Sequence, residues 1–239
     1  MTRERRFLVD DLTSERVELR GEEAHHLLHV LRLGVGDEVV LFDGRGRAKR
    51  AVVTERSSDA AALATGAEEA PRESPLPLAL GVSILKADRM ALVVQKLTEL
   101  GVARILPLLA ERSEVRSGRA SSALERWRRI ALEASKQSGR SLVPEVAEPN
   151  DLRSVLEDGS AGIVLIAHPG GPPLELPPPG TATLALIGPE GGWSVSELNL
   201  ASDRGARRFG LGPRTLRAET AAITVAALLQ FGAGDLAGA

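Results

Sequence analysis

One stretch decides the fold, and it reads Leu184-Ala185-Leu186-Ile187-Gly188-Pro189-Glu190-Gly191-Gly192-Trp193-Ser194. Its apolar first half is typical of a buried strand, and the glycines that follow let backbone N–H groups approach a ligand closely. Ser194 and Glu197 have capping-box spacing, which predicts that a helix begins directly after the turn. Strand, glycine turn and helix start in this order favour a ligand site at the carboxyl edge of a sheet. A plain tight turn is the alternative, and the stretch alone does not decide between the two.

The glycine turn does not have the spacing of a known phosphate-binding loop. It lacks both the G-x-G-x-x-G pattern of dinucleotide folds and the G-x-x-x-x-G-K-[ST] pattern of a P-loop. The carboxylate of Glu190 would also repel a phosphate placed in the turn. A ligand with a neutral or cationic reactive end therefore fits the turn better.

From Leu78 onward, predicted strands alternate with predicted helices. Helical periodicity and capping signals predict four helices: Arg89–Leu100 capped by Asp88, Ser122–Ser138 opened by a capping box with Glu125, a short helix capped by Asn150, and Glu219–Phe231. Strands are predicted at 78–85, 103–109, 162–167 and 183–187. The alternation predicts an α/β fold with a parallel sheet that helices cover on both faces.

The region before this α/β part is predicted to be a small β-rich unit. Short strands are predicted at 6–9, 16–19, 38–42 and 48–54, with a helix at 22–33 and a hairpin turn at Asp43-Gly44. The polar, proline-containing segment 65–77 reads as a linker. We therefore expect two domains, 1–72 and 73–239.

Composition limits the classes of function. The chain has 239 residues and a net charge of −2, so any RNA contact must come from local basic patches. It has no cysteine, and no acidic or sulfur ligand completes a metal site with His25, His26 and His29, so these histidines are predicted to contact RNA or to pack in a helix. No stretch is long and apolar enough to span a membrane, and the N-terminus lacks a signal-peptide core, which predicts a cytoplasmic protein.

Two motifs together resemble the RsmE family of ribosomal RNA methyltransferases, which belongs to the SPOUT superfamily. They are Gly188–Gly192 and Leu211–Ala221, and the matching pattern extends to 26–32, 42–46, 95–102 and 133–140. Ala218 departs from the family pattern, which has a hydroxyl residue there. The resemblance implies a deep C-terminal trefoil knot and an N-terminal PUA-like barrel that binds RNA.

The same resemblance implies the activity. It is S-adenosylmethionine (SAM)-dependent methylation of N3 of a uridine in 16S rRNA, in the assembled 30S subunit, by a homodimer that needs no metal and no membrane. The alternatives are another SPOUT enzyme, acting on a ribose 2′-OH or on tRNA, and a non-catalytic RNA-binding or ribosome assembly protein.

Site residues are predicted in three groups. Uridine N3 becomes nucleophilic after its proton leaves, so a fixed cation near the oxygens of the base and a proton acceptor are needed. Arg217 is the candidate cation and Glu219 the candidate acceptor, with Glu190 second; a structural Arg217–Glu219 ion pair is the alternative. The predicted cofactor-binding residues are Gly188, Pro189, Glu190, Gly191, Gly192, Leu211, Gly212 and Leu216. The predicted RNA-binding residues are Arg3, Arg6, His29, Arg32 and three hairpin arginines, Arg45, Arg47 and Arg50.

Overall fold

The computed structural model of the chain describes residues 4–113 and 117–237, without the side chains of Ala87 and residues 117–121. It divides into two compact units. The first unit consists of Met1–Glu73 together with Ser135–Val143, and the second of Ser74–Ala134 together with Pro144–Ala239. The first unit is therefore built from two separate pieces of the sequence.

The first unit contains a five-stranded sheet. Its strands are β1 (Arg6–Leu8), β2 (Arg16–Leu19), β3 (Glu38–Phe42), β4 (Ala48–Arg56) and β5 (Ala61–Glu68), in the order β1-β3-β4-β5-β2. β1 pairs in parallel with β3, and the other pairings are antiparallel. β5 falls partly in the segment predicted to be a linker, so that prediction was wrong for residues 65–68. Its alanines have weak strand propensity, and pairing with β4 on one side and β2 on the other stabilises it.

The predicted helix at 22–33 is shorter and less regular than expected. Helix α1 (Gly21–His25) continues as a π-helical turn over His26–Val30. The helix ends before Arg32, whose φ of 56° lies in the left-handed region that a non-glycine residue rarely adopts. This turn of the backbone lets Leu33 become buried in the core of the unit.

The second piece of the first unit is tied to β1 and to the hairpin by hydrogen bonds. The guanidinium of Arg6 donates to Ser141 Oγ at 3.0 Å and pairs with Glu69 at 3.2 Å. Arg140 pairs with Glu73 at 2.8 Å, and Val143 N donates to Gly44 O at 2.9 Å. Residues 135–143 thus satisfy buried polar groups that the N-terminal piece alone would leave unpaired.

The second unit is built on a six-stranded sheet in which every pairing is parallel, as predicted. The strands are β6 (Leu78–Ser83), β7 (Arg104–Leu108), β8 (Glu145–Val146), β9 (Ile163–Ala167), β10 (Thr183–Ile187) and β11 (Arg207–Phe209), in the order β11-β9-β10-β6-β7-β8. β8 and β11 were not predicted, since two or three residues are too few to show a strand pattern. All five residues of β10 are buried, as expected for an inner strand of a parallel sheet.

The helices of this unit are α2 (Ala87–Glu99), α3 (Ser117–Ser138), α4 (Leu152–Glu157), α5 (Val195–Asp203) and α6 (Ala218–Ala233); the last four residues of α3 belong to the first unit. The capping box of Ser194 and Glu197 is confirmed. Two predicted caps were wrong by one or two residues: Lys86 precedes α2 in place of Asp88, and Asp151 caps α4 in place of Asn150, accepting from Ser154 N at 2.8 Å.

The capping box predicted at Ser122 does not open a helix, because α3 already begins at Ser117. Among the helices of the described residues, none has the length and apolarity that a bilayer crossing needs.

Candidate functional site

A cleft of about 130 Å³ opens at the carboxyl ends of β9 and β10. The residues that follow β9, β10 and β11 form its walls, and the first turn of α6 closes it. It is lined by Ala167, His168, Pro169, Ile187, Gly188, Pro189, Glu190, Gly192, Trp193, Leu211, Gly212, Arg214, Thr215, Leu216, Ala218 and Ala221. Seven of the eight predicted cofactor-binding residues are therefore brought together here; Gly191 is not among the lining residues.

The indole of Trp193 fixes the shape of the glycine turn. A Cβ atom on Gly188 would lie 3.0 Å from this ring, so any larger residue at this position would press against the indole. The buried indole donates from Nε1 to Ala167 O at 3.1 Å, which links the turn to the end of β9. Gly192 N donates to Pro189 O at 2.8 Å, and Gly192 has a φ of 68° with no atom within 4 Å of its Cβ position. The turn is thus held from behind and open at Gly192.

The segment after β7 supports the turn from the side away from the cleft. Arg112 donates to Gly191 O at 3.1 Å, and a Cβ atom on Gly191 would lie 3.3 Å from Arg112 Cβ. Gly191 therefore packs against Arg112 and does not line the cleft. The buried carboxylate of Glu197 also accepts hydrogen bonds from Glu111 N at 3.0 Å and Ser194 N at 2.8 Å.

Two glycines bring the segments after β9 and β11 into backbone contact. A Cβ atom on Gly210 would lie 2.6 Å from Gly171 O, and one on Gly171 would lie 2.6 Å from the carbonyl carbon of Phe209. Gly210 N donates to Pro172 O at 2.7 Å, and His168 N donates to Phe209 O at 2.8 Å. These contacts position His168 and the loop from Leu211 to Leu216 on the same cleft.

The two predicted acidic residues converge on one arginine. Arg89, near the start of α2, donates a hydrogen bond to Glu190 and lies 3.8 Å from Glu219 Oε2. Glu219 is 9% exposed, and no donor in the described part of the chain hydrogen-bonds its Oε2. The residues described thus place a buried, unfilled proton-accepting oxygen beside a fixed cation.

Arg217 does not form the ion pair with Glu219 that was considered as an alternative. Its side chain is exposed at the N-cap of α6, and within the ranges described it makes no ion pair or hydrogen bond. The cation that lies beside the carboxylate of Glu219 is Arg89. The guanidinium of Arg217 is thus uncommitted among the described residues.

The predicted RNA-binding residues of the first unit differ in exposure. Arg6 is 4% exposed and lies over the ring of Phe42, so the RNA contact predicted for it is contradicted by its burial. The three hairpin arginines, His29 and Arg32 are exposed. Arg3 lies outside the described residues.

The hairpin arginines are not equally free of partners. Arg47 pairs with Glu68 at 2.9 Å, which raises the pKa of its guanidinium, and Arg50 lies 3.4 Å from Glu69. No ion pair of Arg45 is found in the ranges described. In the same part of the chain, the three histidines complete no group able to hold a metal ion.

A second and larger cavity, of about 270 Å³, lies at the opposite edge of the same sheet. It is bordered by Arg104 and Arg204, among other residues, at the amino ends of the strands. Arg104 is bound by Asp158 at 2.6 Å and Glu145 at 2.9 Å, and Arg204 by Glu157 at 2.9 Å. Because these charges neutralise each other and ligands of parallel sheets bind at carboxyl edges, we take the smaller cleft as the candidate site.

Sequence reasoning missed Arg89, His168 and the anchoring role of Trp193. His168 could have been found, because it directly follows a predicted strand and so had to lie at the edge that carries the glycine turn. Arg89 gives no comparable signal, since an arginine near a helix start usually reads as a solvated side chain.

The sequence of the chain is similar to those of known proteins over most of its length. Residues 72–230 match a family described as the RNA methyltransferase domain, and residues 19–63 match the RNA methyltransferase PUA domain, as expected for the N-terminal unit. The chain is 34% identical to the ribosomal RNA small subunit methyltransferase E of Synechocystis, over 86% of this chain and 69% of that protein. It is 28% identical to the Bacillus subtilis protein of the same name, over 95% and 96% of the two chains.

A solved structure is also similar over the whole length. It is a ribosomal RNA small subunit methyltransferase E from Neisseria gonorrhoeae bound to S-adenosyl methionine, with a TM-score of 0.89 and 35% identity. The alignment covers 98% of this chain and 99% of that chain.

Proposed function

The chain belongs to the ribosomal RNA small subunit methyltransferase E family, and we propose that it uses SAM to methylate N3 of a uridine in 16S rRNA. The observation that carries this proposal is the cleft, because it joins the two glycine-containing motifs of the family at the carboxyl edge of the parallel sheet. The target base and its N3 position come from the resemblance of these motifs to the RsmE family.

The residues of the cleft fit SAM. Gly192 and Gly212 have φ angles of 68° and 86°, and neither has an atom within 4 Å of its Cβ position, so a ligand can approach the backbone at both. Leu211, Leu216 and Ile187 offer apolar surface for an adenine ring, and the carboxylate of Glu190 suits a cationic group. SAM supplies a methyl group on a sulfonium sulfur, and the protein has to hold this group in line with the acceptor.

Glu219 and Arg217 are proposed to prepare the base for attack. Glu219 Oε2 is buried and lacks a hydrogen-bond donor in the described residues, so it can accept the N3 proton. The exposed guanidinium of Arg217, at the start of α6, is proposed to stabilise the negative charge that spreads onto O2 and O4. Backbone N–H groups of a helix N-terminus favour negative charge at the same place.

RNA binding is proposed to involve the first unit. The exposed hairpin arginines and Arg32 supply cations that can contact phosphates, although the chain as a whole is slightly acidic. The proposed domain boundary, between residues 72 and 73, lies one residue before the end of the first compact unit at Glu73, and that unit also includes Ser135–Val143. The proposed substrate is the assembled 30S subunit, which places the reaction in the cytoplasm.

A homodimer formed through α6 and a trefoil knot in the second unit also remain proposals. Support for the dimer comes from the exposed apolar side chains of Leu228 and Phe231, on a helix whose opposite face packs into the unit. Support for the knot comes from the resemblance to the SPOUT superfamily.

Nucleoside analysis tests the proposed function. The purified protein and SAM would be incubated with 30S subunits from cells that lack this enzyme, and the rRNA would be digested and analysed by mass spectrometry. N3-methyluridine is expected with the wild-type protein, and its yield should fall strongly with Glu219→Gln. A ribose-methylated nucleoside, methylation of tRNA in place of rRNA, or no methylation at all would overturn the proposal.

A further inference from the structure

We propose that Arg89 is a positioning residue that holds Glu219 ready to accept the proton of the substrate base. The inference rests on the proposed function and extends it to a residue outside both glycine motifs. Neither Arg89 nor Glu219 is among the residues that line the cleft, whereas Glu190 is, and Glu219 lies in the first turn of α6 beside the lining residue Ala218. In the described part of the chain the ion pairs of Arg89 are those with Glu190 and Glu219, so we assign its effect to these carboxylates.

The contacts of Arg89 join three strand ends. Arg89 lies on the helix after β6, Glu190 in the turn after β10, and Glu219 in the first turn of α6, beyond β11. Two carboxylates that approach each other repel unless a cation lies between them, and arginine stays protonated at any working pH. Arg89 therefore makes the close approach of the two carboxylates stable.

The two contacts are unequal, and the difference assigns different roles to the carboxylates. Glu190 accepts a hydrogen bond from Arg89, whereas Glu219 Oε2 lies 3.8 Å away, beyond hydrogen-bond distance. Glu190 thus anchors the guanidinium. Glu219 is attracted by the charge, but its Oε2 atom remains available for a proton. A direct hydrogen bond from Arg89 would instead occupy this acceptor.

A double-mutant cycle tests whether Arg89 acts through Glu219. Arg89→Met keeps an apolar stem but removes the charge, and should lower kcat by about 10²-fold, the scale of a misplaced catalytic group. The KM for 30S subunits and the SAM affinity should stay near wild type, and Arg89→Lys should recover part of kcat. In a Glu219→Gln background, Arg89→Met should change kcat by no more than about twofold, because the group it positions is already lost.

Thermal unfolding gives a second measurement that does not depend on activity. Arg89→Met leaves the buried carboxylate of Glu219 without its cation and should lower Tm by about 2–4 °C or more, and adding Glu219→Gln should restore most of that loss. The matched control is Arg89→Met with Glu190→Gln, which should restore less, because Glu190 is more exposed.

The possible outcomes separate the inference from the proposed function. The positioning role is overturned if the factors by which Arg89→Met and Glu219→Gln each lower kcat multiply in the double variant. It is also overturned if Arg89→Met lowers SAM affinity by the same factor as activity. If Glu219→Gln restores the Tm that Arg89→Met loses, but the wild-type protein yields no N3-methyluridine, the proposed function is overturned and the Arg89–Glu219 pairing is upheld. If the wild-type protein yields N3-methyluridine but neither kcat nor Tm couples Arg89 to Glu219, the function is upheld and the role of Arg89 is overturned.

Discussion

Replacing Gly192 with valine tests whether the cleft binds SAM. Gly192 lines the cleft and has a φ of 68°, and no atom lies within 4 Å of its Cβ position. Valine can therefore be accommodated sterically, but its backbone must adopt the left-handed conformation, which costs about 1–2 kcal/mol. For a chain of this size the expected decrease in Tm is about 2–8 °C.

The side chain of Val at position 192 should occupy space that the ligand needs. We expect SAM to bind Gly192→Val at least ~100-fold more weakly, which corresponds to about 2.7 kcal/mol of binding free energy. Isothermal titration calorimetry on the purified proteins measures this difference directly, and it does not require RNA.

Gly205→Val is the matched control. Gly205, in the turn after α5, has a φ of 75° and also has no atom within 4 Å of its Cβ position, but it does not line the cleft. The Tm of Gly205→Val should fall by about as much as that of Gly192→Val, and its SAM affinity should equal that of the wild type. Unchanged SAM affinity in Gly192→Val refutes the cleft assignment, and an equal loss of affinity in both variants attributes the effect to backbone strain.

Four further predictions address the other proposed roles. Arg217→Ala should lower single-turnover methylation by about 10²–10³-fold with little change in SAM affinity, and higher pH should partly rescue it; a parallel loss of SAM binding contradicts the role. Changing the three hairpin arginines to alanine should weaken 30S binding and reduce its salt slope by about one for each phosphate that is no longer neutralised, without affecting SAM affinity. Phe231, which is 63% exposed, should lie in the dimer interface, so Phe231→Glu should give a monomer in light scattering; a wild-type monomer at micromolar concentration removes the dimer. Asp151→Ala should lower stability by about 1 kcal/mol at pH 7, since the cap of α4 is lost. The backbone N–H of Ser154 lowers the pKa of Asp151 in the folded protein. The charge-dependent part of this stability is therefore fully present above the unfolded pKa of about 3.9 and is lost as the pH falls through the lower folded pKa, which thermal unfolding at a series of pH values measures.

The sequence predicted the second unit well because its signals are local and redundant. β10 is a continuous apolar run, the capping box at Ser194 and Glu197 fixes the start of α5, and Gly101 and Gly139 follow helices with φ angles of 77° and 80°. Each of these features depends on a few neighbouring residues, and the parallel order of the strands follows from their alternation with helices.

The elements that were missed depend on partners distant in sequence. β5 is rich in alanine and becomes a strand because β2 and β4 pair with it. Arg6 reads as a surface arginine, yet it is buried, and Glu69 and Ser141 are partners of its two terminal guanidinium nitrogens. The role of Arg89 likewise depends on Glu190 and Glu219, far along the chain, so no local pattern announces it.

The split composition of the first unit bears on how the protein is made. Synthesis proceeds from the N-terminus, and the sheet of β1–β5 is complete in sequence by residue 68, well before its last piece emerges. Until residues 140–143 are available, Arg6 lacks Ser141, Glu73 lacks Arg140, and Gly44 O lacks the donor from Val143. Nascent chains of intermediate length should therefore hold this unit in a less protected state, and its final closure should wait until the end of α3 has left the ribosome. Because that helix begins in the second unit, the maturation of the two units is coupled in time by the order of the sequence itself.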